Sequence, residues 1–120
     1  MSLDDDLERI RKAAATLTVA ADKANQVIIE TEVRLNEAGA GANVLLRLVE
    51  PEVAGWSLGW ARKSKEKGWQ FITTFREFSY PLLQAPRLVR VVAVEHLPEI
   101  ASALAAKLEA IVAKHMNGDS

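Results

Sequence analysis

From the third residue onward, positions Leu3, Leu7, Ile10, Ala14, Leu17, Ala21, Ala24, Ile28, Thr31, Leu35 and Ala38 follow one another in steps of four and three, and all but one are apolar. That spacing is a heptad seam held for about five repeats, and it predicts one amphipathic helix. A second stripe, Ala13, Ala20 and Val27, runs beside the seam, while Glu8, Arg9, Arg11, Lys12, Glu30 and Arg34 take most of the remaining surface. Asp4, Asp5 and Asp6 supply caps and favourable charge at the start, and Gly39 with Gly41 supplies the stop.

Roughly 35 helical residues reach about 50 Å at ~1.5 Å per residue. A compact chain of this length is about 35 Å across. Such a helix overhangs its own domain, bends, or lies along something outside it. Two occupants of the seam are open: a second copy, giving a homodimer through Leu7, Ile10, Ala14, Leu17, Ala21, Ala24, Ile28 and Leu35, or the C-terminal helix of the same chain.

Beyond the glycines the period drops to two. The stretch "NVLLRLVE" over 43–50 has the length and content of a strand, ended by Pro51, and "WSLGWAR" and "GWQFITT" flank a polar bend as a hairpin. Centring the bend on Ser64 and Lys65 sets Trp60 opposite Trp69, Leu58 opposite Phe71 and Trp56 opposite Thr73. One face is then aromatic and the other small or polar. Every aromatic residue falls between positions 56 and 80, so the two ends of the chain are aliphatic.

In the last third, Leu97, Ile100, Ala101, Leu104, Leu108, Ile111 and Val112 line one face of a helix in which Pro98 and Glu99 suit the first turn. The preceding "PRLVRVVAVEH" has the valines of a strand. Pro86 and the i, i+3 spacing of Arg87 and Arg90 favour a helix that kinks at Pro98. Two arginines near a helix N-terminus oppose the macrodipole, so Glu77, Glu52 or an anionic ligand is expected beside them. The fold expected is a single α+β domain over 1–120: a long N-terminal helix, a three-stranded antiparallel sheet, and a kinked C-terminal helix packing on the sheet.

Composition narrows the chemistry. A hydrophobic fraction of 49% with 26% charged residues suits a soluble globular protein, and no apolar run approaches the ~18 residues a membrane span needs. The absence of cysteine excludes disulfides, thiol nucleophiles and thiolate metal sites, and with an acidic N-terminus unlike a signal peptide it favours the cytoplasm. A net charge of -1 argues against binding nucleic acid with the whole surface, which leaves local patches. Arg62, Lys63, Lys65 and Lys67 form one, between Trp60 and Trp69. It could track phosphates while an indole stacks a base, or it could keep a hairpin tip soluble while the indoles face the core; the alternation favours the second.

The two histidines, His96 and His115, read as lacking a helical i, i+3 or i, i+4 ligand partner, so no metal site is expected, and His96 reads as a cap or half-buried polar group. The serines have no nucleophile context, and "GAGAN" over 39–43 follows a helix where a phosphate loop would open one. No catalytic residue and no cofactor is expected. The function expected is a non-enzymatic interaction module, homodimeric through the long helix and binding a protein partner. The alternatives are nucleic-acid binding through 62–67 and a small anionic ligand near Arg87 and Arg90.

Overall fold

The seam does form one helix. In the computed structural model, which describes residues 2–64 and 68–117 (the side chains of 63, 64 and 117 excepted), α1 spans Leu3–Glu37. Its cap is Ser2, whose Oγ accepts a hydrogen bond from the Asp5 amide at 3.2 Å, with Asp4, Asp5 and Asp6 filling the first turn. The helix stops where Gly39 takes φ of 78°, a left-handed conformation that suits a residue without Cβ.

Four strands follow, where three are expected: β1 (Val44–Arg47), β2 (Trp56–Ser64), β3 (Gly68–Phe75) and β4 (Phe78–Pro81), paired antiparallel in chain order. The additional strand is four residues long and ends in proline, so it carries little strand signal of its own. Arg76 and Glu77 turn the chain into it, and Arg76 holds the left-handed conformation at φ of 57° without being glycine. Short 3-10 turns stand at Pro51–Val53, between β1 and β2, and at Leu82–Gln84, after β4.

The central hairpin is registered two residues away from the expected pairing: Trp60 lies opposite Phe71, Leu58 opposite Thr73 and Trp56 opposite Phe75. A slip of two leaves every side chain on its expected face, because strand side chains alternate with period two. Trp56, Leu58, Trp60, Phe71 and Thr73 thus share the inner face, and the last four are buried. Trp60 and Phe71 meet edge to face at 4.8 Å, and Trp60 Nε1 donates to the Ala40 carbonyl at 2.6 Å. That bond anchors the loop after α1 to the middle of the sheet.

The last element, α2, runs Arg87–Asn117 as one helix, with Pro98 in its interior in place of the first turn of a separate helix. The segment 87–97 is therefore helical despite its valines, which face the core: Val89, Val92, Ala93 and Leu97 are all buried. Helix α2 packs against β1, β2 and α1, while α1 packs against β3 and α2, so the two helices lie side by side on one face of the sheet. One core cluster draws on Ile28 of α1, the inner sheet face, Leu82, and α2 as far as Leu104.

The helices run in the same sense but out of step. Arg87, which opens α2, reaches Thr18, and Arg90 reaches Asn25, so α2 starts about 15 residues into α1. This stagger draws the molecule out to 75 Å along the helices against 25 and 24 Å across them.

Candidate functional site

The seam on α1 divides in two at the level where α2 begins. Its second half is internal: Ala21, Ala24 and Ile28 are 2%, 5% and 0% exposed, and Leu35 packs half-buried against the core. The small alanines let the helices approach closely there, as the sequence suggests. Its first half has no cover among the described residues. Leu7 and Ile10 are 39% and 61% exposed, Leu3 and Ala14 are exposed, and Leu17 is half-buried at the boundary. Residues 3–17 thus form an overhang of about 22 Å at ~1.5 Å per residue, with an apolar stripe along it.

At the base of the overhang sit Arg87 and Arg90. Arg87 Nη1 donates to Thr18 Oγ1 and Arg90 Nη1 to Asn25 Oδ1, each at 2.7 Å. The expected carboxylates are not beside them: among the described residues neither arginine has an acidic partner within ion-pair distance, and Arg90 Nε is buried without an acceptor. Two neutral oxygens of α1 stand where Glu77 or Glu52 is expected. The arginines therefore tie α2 to α1 through neutral acceptors.

A titratable cluster that the sequence reading passes over lies on the other side of α2. His96 Nδ1 meets Glu99 Oε1 at 2.8 Å, and His96 Nε2 meets Glu50 Oε1. Glu99 is the i+3 carboxylate that His96 reads as lacking, so the H-x-x-E spacing was the available signal. Glu50, 46 residues away, carries no such signal. The Glu50 hydrogen bond raises the His96 pKa, and the same bond from His96 lowers that of Glu50. When His96 is protonated both ring nitrogens donate, and neither has a lone pair for proton abstraction or a metal. The cluster is a clamp holding the loop after β1 to α2.

The clamp has a pH signature. The raised His96 pKa gives stability that is present in acid and lost as pH rises through that pKa. The lowered Glu50 pKa gives stability lost as pH falls through its own value, so the contribution is greatest between the two. Replacing Glu50 with Gln is expected to lower the His96 pKa, because the largest cause of its rise is the Glu50 hydrogen bond, and the change is read from the pH dependence of its imidazole NMR shifts.

The basic hairpin is less complete as a site. Lys65 and Lys67 lie outside the described residues, as does the Lys63 side chain, and Arg62 is exposed beside Trp69 on the neighbouring strand. Trp60 is fully buried, and Trp69 is half-buried with its indole over Gly41. A buried indole offers no platform for a base. The outer face of the sheet is uncovered by either helix. A depression of about 350 Å3 there is lined by Leu45, Gly59, Ala61, Ile72, Thr74 and Ser79. Gly59 forms its floor, where an added Cβ would stand 2.9 Å from the Val44 carbonyl oxygen.

Among the described residues no group of acids and histidines is placed to hold a metal ion, and no helix is long and apolar enough to cross a membrane. No protein-family model, curated protein or solved structure matches the chain.

Proposed function

We propose that this protein is a non-enzymatic interaction module that self-associates through the first half of α1, with the uncovered sheet face available to a protein partner. One observation carries the reading: a capped, heptad-spaced helix projects about 22 Å beyond its own domain with Leu3, Leu7 and Ile10 exposed along it. An isolated helix of about 15 residues is marginal in water, and tertiary packing of an apolar face supplies most helical stability. A second helix laid along this stripe provides that packing. The outer sheet face supports the partner reading because it joins an apolar floor to the hydroxyls of Thr74 and Ser79 and offers no group for chemistry.

Replacing Leu7 and Ile10 together with Glu tests the self-association. Sedimentation equilibrium is expected to give about twice the chain mass of 13.2 kDa for the native protein and the single mass for the variant. Helical circular dichroism of the domain should persist, less what the freed residues 3–17 lose by fraying, since neither residue belongs to the core cluster. A native protein that stays monomeric at high concentration refutes the reading.

A further inference from the structure

We infer that the overhang pairs antiparallel with the overhang of a second copy about a two-fold axis near Ile10, and that the first-turn aspartates of each copy meet Arg87 of the other. The inference rests on the self-association proposed above and names its register and the residues each copy contributes.

Three observations converge on it. The first is the spacing of the stripe. Leu3, Leu7, Ile10, Ala14 and Leu17 are disposed almost symmetrically about Ile10, so an antiparallel copy sets Leu3 against Leu17, Leu7 against Ala14, and Ile10 against itself. Apolar residues then face apolar residues along the whole stripe, and the surface is self-complementary, as a two-fold dimer demands.

The second is length. Helix α2 begins level with Thr18, so the lane beside residues 3–17 is vacant over the length of one more overhang. A second copy laid in that lane ends where α2 begins. The two copies then lie end to end in both lanes without overlapping.

The third is charge. In this register Asp4 and Asp5 of one copy come within about two and three residues, or ~3 and ~4.5 Å along the axis, of the level of Thr18 and Arg87 in the other. Asp4 and Asp5 are exposed and have no ion-pair partner among the described residues, whereas Asp6 is paired with Arg9. Arg87 is likewise exposed, and one of its five N–H donors is engaged, by a neutral hydroxyl. The acidic start of one helix thus meets the basic start of another, and each relieves a charge its own chain leaves unanswered.

The chain has no cysteine, so the register can be read from single-cysteine variants. Mild oxidation of an Ile10→Cys variant is expected to give a disulfide-linked dimer. A Val19→Cys variant, on the opposite face of the helix, is expected to stay unlinked. Arg87→Glu alone, and Asp4→Lys with Asp5→Lys, are each expected to weaken association at least ~10-fold, and combining all three substitutions is expected to restore it. A native dimer in which the Ile10→Cys variant does not cross-link and the charge reversals have no effect overturns this register while leaving self-association standing. A native monomer overturns both.

Discussion

Glutamates placed together at positions 21 and 24 are expected to unfold the chain, not to dissociate it. Both alanines lie on the seam that reads from sequence as one continuous interface, but their surroundings are internal: each is at most 5% exposed and faces α2 across a close helix contact. The larger side chains cannot be accommodated without separating the helices. Their carboxylates would also be desolvated: Arg87 and Arg90 reach Thr18 and Asn25, on either side of position 21, and would answer the first of them, which leaves the carboxylate at position 24 beside Val91 and Val94. An unpaired buried charge costs several kcal/mol, so the pair should remove at least about 5 kcal/mol from a stability that for such domains is roughly 5–15. Loss of helical circular dichroism and of a cooperative thermal transition is the expected result. The contrast with Leu7→Glu/Ile10→Glu, 11 and more residues upstream on the same seam, separates the two uses of one helix face.

A comparable loss is expected from Trp60→Ala. The indole is fully buried, packs edge to face on Phe71, and donates to the Ala40 carbonyl. Removing it leaves a cavity under both helices, which for a large aromatic costs about 3–5 kcal/mol, and strands a buried carbonyl at about a further 1 kcal/mol or more. Trp60→Phe keeps most of the ring contact and loses the hydrogen bond, so its loss should fall near 1–3 kcal/mol. Urea denaturation midpoints of the two variants would rank them, with an unchanged slope showing that the difference lies in stability.

Much of the architecture was legible because it rests on periodicity. The heptad spacing of α1, the alternation of β2 and β3, and the apolar stripe of α2 each report a buried face directly, and the faces come out as expected even where the register does not. The register depends on the length of the turn after Arg62, where a bulge between Arg62 and Ser64 shifts the pairing. No Asn-Gly or Asp-Gly pair marks the position. Strand β4 escaped for a related reason: its turn uses Arg76 in a left-handed conformation that sequence associates with Gly or Asn. The valines of 89–94 resemble a strand because β propensity is a weak prior, and packing against α1 overrides it.

The site was legible only in parts. The exposed stripe and the two arginines stand out in the sequence, but the division of the seam between internal and open halves depends on where α2 starts along α1, a tertiary fact. The partners expected for Arg87 and Arg90 were acids, the chemically natural choice; Thr18 and Asn25 are neutral and lie on the same helix as the stripe. The His96 clamp was half legible, through Glu99, and half hidden, through Glu50.

The side-by-side helices also constrain how the chain folds as it is synthesised. Helix α1 is made first, but Ala24 lies beside Val91 and Val94 of α2, and the bonds that fasten the two helices span 69 and 65 positions. On the ribosome the N-terminal helix must therefore wait for nearly the whole polypeptide before its inner face is covered, and contacts this remote in sequence slow the search for the native state. The alanines help here: a nascent helix whose inner surface is mostly small presents little to mispair with in the interval. The bulkier Ile28 belongs to the core cluster shared with the sheet, which α1 meets through β3, a strand made before α2.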